Sequence, residues 1–264
     1  MANGKEQRLI ERSRQSALPL IIAHRGCAGR FPENTFSAFR AGLDSGADVV
    51  ELDYHHSSDG VPVVIHDATL ERTTNAASIW GEERLAVSER TAAELASLNA
   101  AGKERQSREP EPLPTLEQVL KLVQASRITM IERKAGDAAT LHRLLTRFHW
   151  EHDVVVQAFD WDFLRELRTL SPNMVLGALC KEPLTPELVA EAAAIPVQII
   201  TWNHELLDRA GIECIHAAGK LAWTYTVNEI ERAQQLWEAG IDGVISNFPH
   251  EMVAWRDRLP RNRA

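Results

Sequence analysis

Short runs of apolar and mostly β-branched residues recur along the chain, and amphipathic stretches lie between most of them. Nine runs are candidate strands, at residues 20–23, 49–53, 61–66, 128–132, 154–158, 174–179, 197–201, 221–227 and 243–246. A repeated alternation of strand and helix predicts an α/β protein with a parallel sheet and helices outside it. With this many units, closure into a (β/α)8 TIM-type barrel is favoured over an open doubly wound sheet. No Gly-x-Gly-x-x-Gly follows the first strand, which also weakens a dinucleotide-binding interpretation.

The segments after the first and second runs carry the sharpest local signals. Asn34 is a candidate N-cap for a helix that ends near Gly46. His55 and His56, with residues 58–60 directly after them, are expected in a tight turn between the second and third runs. A barrel needs eight strands, so nine candidates predict a hairpin at this point, as a local distortion of the barrel.

The chain is expected to fold as one large domain. Residues 1–17 are polar and charged, and we expect them to be an N-terminal tail that leads into the first strand. Residues 18–264 then form the barrel, because α/β barrels of about 250 residues routinely form a single domain. From about 67 to 114 the pattern loosens into polar sequence, which predicts a small insertion after the third strand on the active-site side.

Composition and charge narrow the possible functions. Hydrophobic residues make up 44% and charged residues 25% of the chain, as in a globular protein with a sizeable core. The net charge of −8 and a pI near 5.7 argue against binding to nucleic acid. The apolar run at 17–23 is too short to span a membrane, so no stable membrane anchor is expected. Three widely spaced cysteines without a Cys-x-x-Cys pair fit a reducing compartment, and we expect a cytoplasmic protein.

Three carboxylates stand at the ends of apolar runs. Glu51 and Asp53 are two positions apart, so they point to the same face of their strand, which in a barrel is the lumen. Glu132 ends the fourth run and adds a third carboxylate. Acidic groups this close repel each other unless a cation joins them, and three oxygen donors suit Mg²⁺ or Ca²⁺. The plainer alternative is a buried ion network in which these carboxylates pair with Arg25 or Lys134.

Two histidines and two cationic residues complete the candidate chemistry. His24 ends the first run and His66 the third, so both are expected at the same rim as the carboxylates. Histidine can act as acid or base near neutral pH. Arg25 offers a planar fork that matches phosphate oxygens, although a salt bridge to Glu33 is a serious alternative. Lys134 adds a second cationic group after the fourth run.

Two later strands add weaker candidates. Trp202 and Asn203 follow the seventh run at the same rim and are candidate substrate contacts. Trp223 and Tyr225 lie on one face of the eighth strand, where core packing is the default and pocket lining is the alternative.

The short motifs, taken in order, point to one family. They are Ala23-His24-Arg25-Gly26, Pro32-Glu33-Asn34-Thr35, Glu51-Leu52-Asp53, His66-Asp67 with Leu70-Glu71-Arg72-Thr73, Leu113-Pro114-Thr115-Leu116, Glu132 with Lys134, Gln157-Ala158-Phe159 and Tyr225-Thr226-Val227-Asn228. The chain resembles the glycerophosphodiester phosphodiesterases, most closely the short cytoplasmic bacterial type, from residue 20 to about 250. Any one motif is a weak signal, whereas the ordered set is a strong one.

The resemblance implies a (β/α)8 barrel that hydrolyses glycerophosphodiesters, as small-molecule substrates, to sn-glycerol 3-phosphate and an alcohol with a divalent metal. By position it implies site roles for metal ligands (Glu51, Asp53, Glu132), an acid/base pair (His24, His66) and phosphate contacts (Arg25, Lys134). Tyr225 is added as a candidate substrate contact. A lysophospholipase D-type phosphodiesterase acting on a related lipid diester stays open. A noncatalytic barrel that binds phosphorylated ligands is the alternative from another class.

Two departures from the family pattern bear on these expectations. The insertion lacks the aromatic-rich segment often seen before the Leu-Pro-Thr-Leu stretch, which leaves the alcohol specificity open. Ser246-Asn247-Phe248-Pro249 replaces the usual Thr-Asp-Tyr-Pro, and we expect this change to touch the final turn and not the reacting groups.

Overall fold

The computed structural model describes residues 4–81, 85–101 and 109–260. Residues 1–3 of the predicted tail, 82–84 and 102–108 of the predicted insertion, and 261–264 of the predicted barrel domain lie outside the described residues. Nine strands form within the described residues: β1 (Leu20–Ala23), β2 (Val49–His56), β3 (Pro62–Val64), β4 (Ile128–Arg133), β5 (Val154–Ala158), β6 (Val175–Cys180), β7 (Ile199–Asn203), β8 (Leu221–Tyr225) and β9 (Gly243–Ser246). All except β3 are parallel and close into a ring, in which β1 pairs with both β2 and β9. The predicted (β/α)8 barrel is confirmed.

Most of the helices connect the ring strands and pack outside them. In chain order the described helices are α1 (Lys5–Gln15), α2 (Phe36–Asp44), α3 (Ala76–Trp80), α4 (Ala92–Ala96), α5 (Leu116–Val123), α6 (Ala138–Arg147), α7 (Trp161–Leu170), α8 (Pro186–Ala194), α9 (Arg209–Ala217), α10 (Ile230–Ala239) and α11 (Pro249–Arg256). Short 3-10 helices lie at Val87–Glu89 and His204–Leu206. Across the described ranges of the chain, none of these helices is both long and apolar enough to cross a membrane.

Side chains alternate along each ring strand between the lumen and the surrounding helices. On β1, Leu20 and Ile22 belong to the lumen cluster, whereas Ile21 and Ala23 belong to the core between strands and helices. The other ring strands supply further lumen residues, which are Val49, Ile128, Met130, Val155, Val175, Ile199, Leu221, Trp223 and Ile245. The lower lumen is therefore a packed apolar core, and a polar layer is left only at the carboxyl ends of the strands.

The extra strand lies outside the ring, on the end of β2. It runs antiparallel to β2, with Tyr54 opposite Val64 and His56 opposite Pro62. This arrangement confirms the predicted hairpin. However, β2 continues through His55 and His56, so these histidines lie in the strand and not in the turn, because their backbone still pairs with β3.

The insertion after β3 forms a compact lobe with its own small core. This cluster contains Val63, Ile65, Leu70, Ala76, Leu85, Val87, Leu95, Leu98, Ala100 and Leu113, with Trp80 packed against it. Val63 also forms an antiparallel bridge with Thr115, directly before α5. The lobe therefore anchors residues 66–72, which follow β3 at the rim of the barrel.

Residues 5–15 form the helix α1, where the sequence predicted a polar tail. Glu6, Leu9, Ile10 and Ser13 share one buried face at helical spacing, and Leu9 and Ile10 join the lumen cluster. The helix thus covers the amino-terminal end of the barrel, where full burial of a Leu or Ile side chain contributes about 1.5–3 kcal/mol. The sequence pattern hides this face because two of its four buried positions are polar; Glu6 Oε1 lies 3.3 Å from His152 Nδ1.

The predicted helix after β1 is confirmed, but its cap is Thr35 and not Asn34. Thr35 Oγ1 accepts from the Ala38 N–H at 3.3 Å, and Gly46 follows the helix end with φ +81°. Asn34 has φ +59°, and its side chain turns away to Asp53. Because the Asn34 side chain contacts the buried carboxylate of Asp53, it does not cap the helix.

Candidate active site

The three predicted carboxylates meet at the carboxyl ends of β2 and β4. Asp53 and Glu132 are direct neighbours in the β2–β4 register, and Glu51 lies two positions earlier on the same face as Asp53. Glu51 and Asp53 are fully buried and Glu132 is 7% exposed. One carboxylate oxygen from each lies within 4.8 Å of the others, so the three side chains form a single acidic group.

This acidic group fits a divalent cation. Glu51 Oε1 is buried and has no hydrogen-bond partner among the described residues, so one oxygen is left to contact a ligand. Burial and the negative charges of Asp53 and Glu132 raise the pKa of Glu51 well above its usual range. Burial and Asp53 likewise raise the pKa of Glu132 to about 7. A hard cation with oxygen ligands would offset this repulsion.

Arg25 and Lys134 lie against the same carboxylates, as the ion-network alternative proposed. The Arg25 backbone N–H donates to Glu51 Oε2 at 2.8 Å, and its Nε lies 3.0 Å from Asp53 Oδ2. Lys134 Nζ lies 3.3 Å from Asp53 Oδ1 and also donates to Glu132. Although burial raises the pKa of Asp53, Arg25 and Lys134 lower it to about 2. The two cations therefore keep Asp53 ionised inside the barrel.

Arg25 also contacts Glu33, which in turn contacts Arg72 of the segment after β3. Its Nη1 donates to Glu33 Oε1 at 2.9 Å, which is the salt bridge considered as the alternative role of Arg25. Arg72 donates to both oxygens of Glu33, at 2.9 and 2.7 Å, and to Asp67. A chain of charged contacts thus joins Arg25 to the loop that carries His66.

His24 directly follows β1 and faces the pocket. Its Nδ1 lies 2.6 Å from Asn247 Oδ1, so the imidazole donates from Nδ1 and leaves Nε2 as an acceptor. Burial, and next the positive charge of Arg25, lower the pKa of His24 to about 4. The ring is therefore neutral near pH 7.

His66 also lines the pocket and is oriented in the same way. Its Nδ1 lies 2.6 Å from Asp67 Oδ1, and its backbone carbonyl accepts from His55 Nε2 at 3.0 Å. Burial is the largest cause that lowers the pKa of His66, and Asp53 and Asp67 oppose it. Both histidines thus have Nδ1 bound to a side-chain oxygen.

These side chains surround one pocket of about 170 Å³. Phe159 and Tyr225 form one wall, with their ring centroids 6.1 Å apart and an edge-to-face angle of 87°. The Tyr225 hydroxyl donates to the Cys180 carbonyl at 2.8 Å, so Tyr225 presents its ring rather than a free hydroxyl. The lining residues are His24, Arg25, Glu51, His66, Glu132, Lys134, Gln157, Phe159, Leu179, Tyr225, Thr226 and Ile245.

A larger groove of about 430 Å³ lies at the other end of the barrel, beside α1. Its cationic side chains already have partners: Lys5 pairs with Asp153, Arg12 pairs with Asp48, and Arg127 Nε donates to a backbone carbonyl. It lacks a histidine and an acidic group of the kind at the carboxyl ends of the strands. Chemistry and not volume therefore identifies the candidate site.

One sequence-based candidate is wrong and another has a local role. Trp202 points away from the pocket into the core between strands and helices, and its Nε1 donates to the Glu182 carbonyl at 2.9 Å. The reason is strand alternation, since Trp202 occupies an outward position of β7. Asn203 Oδ1 accepts from the Glu205 N–H and begins the 3-10 helix. Trp223 packs in the lumen below Tyr225.

Sequence reasoning missed three polar residues that contact this site. Asn247 was expected to stay clear of the reacting groups, but ring closure places β9 beside β1 and brings its amide to His24. Asn34 Nδ2 donates to Asp53 Oδ2 at 2.9 Å. Gln157 lines the pocket from β5, is 1% exposed, and sits beside Glu132 in register. The sequence signal that could have identified Gln157 is its position: it is a polar residue at an inward position of an otherwise apolar strand.

Comparisons with known proteins identify the family of this chain. The sequence model of the glycerophosphoryl diester phosphodiesterase family matches residues 24–251. A glycerophosphodiester phosphodiesterase of Caldanaerobacter subterraneus subsp. tengcongensis is 30% identical over 245 residues, which are 89% of this chain and 96% of that protein. A second glycerophosphodiester phosphodiesterase, from Bacillus altitudinis, is 30% identical over 90% of this chain and 98% of its own.

Solved structures show the same barrel. A phosphodiesterase of Oleispira antarctica in complex with the product sn-glycerol-3-phosphate has a TM-score of 0.82 at 26% identity, covering 91% of this chain and 97% of that one. A glycerophosphodiester phosphodiesterase of Agrobacterium tumefaciens has a TM-score of 0.75 at 27% identity, covering 90% and 100%. This chain therefore belongs to the glycerophosphoryl diester phosphodiesterase family of enzymes.

Proposed function

We propose that this protein hydrolyses glycerophosphodiesters to sn-glycerol 3-phosphate and an alcohol in the 170 Å³ pocket. The observation that carries the proposal is the arrangement of two histidines beside one acidic group. His24 and His66 each have Nδ1 bound to a side-chain oxygen, and both line the pocket that contains Glu51 and Glu132. This is the arrangement that proton transfer at a metal-supported phosphodiester requires.

Glu51, Asp53 and Glu132 would hold the divalent metal. Their donor set of carboxylate oxygens suits Mg²⁺ or Ca²⁺, and the buried, unpartnered Glu51 Oε1 supports a ligand at this point. When bound, such a metal supplies positive charge that offsets the charge of the phosphodiester.

Arg25 and Lys134 bind and orient the phosphate. Both line the pocket, and their contacts with Asp53 fix the positions of the two charged groups before a substrate arrives. Arg25 presents a guanidinium whose planar donors match two phosphate oxygens. Phe159 and Tyr225 supply an apolar wall that limits the access of water on the other side.

His24 and His66 exchange protons with the two oxygens that change partners at phosphorus. One histidine starts neutral and accepts the proton of the attacking hydroxyl at Nε2 as that oxygen bonds to phosphorus. The other starts as the imidazolium and donates its Nε2 proton to the alcohol oxygen as the bond between phosphorus and that oxygen breaks. The attacking oxygen is that of water, or that of the neighbouring glycerol hydroxyl followed by water. Both routes give the same products.

The test is a coupled assay for sn-glycerol 3-phosphate with glycerophosphocholine, glycerophosphoethanolamine and glycerophosphoinositol, after EDTA treatment and with Mg²⁺ or Ca²⁺ added back. We expect metal-dependent release, and a loss of about 10²- to 10⁴-fold in kcat for His24→Ala and for His66→Ala with an unchanged melting temperature. Lysophosphatidylcholine is assayed in parallel by the release of choline. Turnover of lysophosphatidylcholine alone, or full activity in EDTA, would contradict the proposal.

A further inference from the structure

The rim of the barrel beside the carboxylates, after β5 and β6, carries an aromatic residue and a lysine. Gln157 and Leu179 line the pocket, and Phe159 and Lys181 each follow two residues later in the chain. Because side chains alternate along a strand, Phe159 and Lys181 face the same side as Gln157 and Leu179, at the mouth of the pocket. Phe159 is 39% exposed, one of the few large apolar side chains exposed among the described residues. This pair is here called the outer rim pair, Phe159 and Lys181.

Two ammonium groups flank the Phe159 ring. Because β5 lies between β4 and β6 in the ring, Lys134 approaches Phe159 from one neighbouring strand and Lys181 from the other. Their Nζ atoms lie 6.0 and 5.8 Å from the ring centroid. A cationic group from a substrate would therefore meet two positive charges on this aromatic side chain, which would otherwise attract it.

Lys181 differs from Lys134 in its partners. Lys134 forms ion pairs with Asp53 and Glu132. Lys181 is exposed. Among the described residues, no carboxylate oxygen lies within 4.0 Å of its Nζ, so it forms no ion pair there. The charge of Lys181 is thus available to a ligand at the rim.

The pocket is too small to enclose both alcohols of a larger diester. Its volume of about 170 Å³ is below the roughly 300–1,000 Å³ of cavities that enclose a whole drug-sized ligand. With the phosphate held by Arg25 and Lys134, a diester with a head group of inositol size extends beyond the pocket. The outer rim pair offers this head group a surface at the mouth of the pocket.

We propose that Lys181 determines head-group specificity and favours glycerophosphodiesters whose leaving alcohol carries a negative charge. The inference rests on the proposed function, because it names the substrate class of the same site. Lys181 attracts a phosphate or carboxylate on the head group, whereas the two ammonium groups around Phe159 disfavour a quaternary ammonium. Neutral head groups fall between the two.

The experiment compares three substrates with the metal-loaded enzyme: glycerophosphoinositol 4-phosphate, glycerophosphoinositol and glycerophosphocholine. The first two differ only in the charged phosphate of the head group, so the ratio of their kcat/KM values isolates the effect of charge. We expect this ratio to fall about two- to fivefold in Lys181→Met, as for one exposed ion pair, and further in Lys181→Glu. The preference should also weaken at 0.5 M NaCl, because salt screens exposed charges.

Lys121→Met is the matched control. Lys121 is an exposed lysine of α5 that pairs with Glu117 on the outside of the barrel, so its loss changes the net charge equally and should leave the ratio unchanged. A wild-type ratio of one or less, or a ratio that Lys181→Met does not lower, overturns the inference while hydrolysis itself stands. Absence of turnover with all three substrates overturns the proposed function and this inference together.

Discussion

The contact between His24 and Asn247 joins two residues that are 223 positions apart, and its loss can be measured. Asn247→Leu keeps a similar side-chain volume but removes the oxygen that accepts from His24 Nδ1. A donor left without its partner in a buried setting costs about 1–3 kcal/mol. At about 1.36 kcal/mol per factor of ten, this cost corresponds to a loss of roughly 5- to 160-fold in kcat/KM.

Asn247→Asp is the matched variant, because it keeps an acceptor oxygen and adds a negative charge beside the imidazole. The charge stabilises the imidazolium form, so the pKa of His24 rises from about 4 toward neutrality. We expect activity within a few fold of the wild type at neutral pH, and a shift of one limb of the kcat/KM profile to higher pH. A shift of the acidic limb identifies His24 as the base, and a shift of the alkaline limb identifies it as the acid.

The assay is steady-state release of sn-glycerol 3-phosphate from glycerophosphoinositol between pH 5 and pH 9, with melting temperatures to verify folding. Asn247→Leu with wild-type kcat/KM would refute the orienting role of Asn247. An Asn247→Asp profile that coincides with the wild-type profile would show that His24 titration does not limit the reaction.

Three further outcomes test other contacts. Arg72→Met removes the two exposed ion pairs that hold the loop of His66, so kcat should fall about 2- to 30-fold with little change in KM. Arg72→Lys should recover part of the lost kcat, whereas an unchanged kcat in Arg72→Met would show that these ion pairs do not support the loop. Gly243→Ala places a methyl group 2.8 Å from the Trp223 ring, so the free energy of unfolding measured in urea should fall by about 1–3 kcal/mol. An unchanged free energy of unfolding would mean that the packing of the lumen can relax around the methyl group. Burial raises the pKa of Glu6, so the folded state binds this proton more tightly than the unfolded state does. The free energy of unfolding therefore falls as the pH rises above 4.5, the pKa of the unfolded state. Glu6→Gln should have a higher melting temperature than the wild type at pH 8 but not at pH 4.

Strand periodicity explains how much of the site could be predicted. Alternation at two residues per repeat places Glu51 and Asp53 on one face, and the same rule places Glu132 and Lys134 together. These positions and the barrel itself follow from local pattern and from the number of repeated units. The hairpin at β3 follows as well, because nine strands exceed what the ring requires.

The errors at Trp202 and at residues 5–15 have a local physical cause. Trp202 lies at the correct end of β7 but at an outward position, which alternation from Thr201 would have revealed. The buried face of α1 contains Glu6 and Ser13. A helix with polar residues on its buried face has nearly the same sequence pattern as a solvated segment, so α1 could not be predicted from its pattern.

Local sequence determined which side of each strand faces the lumen, because side-chain direction depends on the backbone of that strand alone. Ring closure decided which of these side chains meet, because it brings β9 beside β1, and the tertiary fold brings the loop of His66 to Glu33. The partner of His24, the contact of Arg72 with Glu33 and the two lysines that flank Phe159 all depend on how distant elements meet in the closed barrel. These contacts have no periodic signature in the chain, since their spacing reflects the arrangement of whole strands and helices in three dimensions.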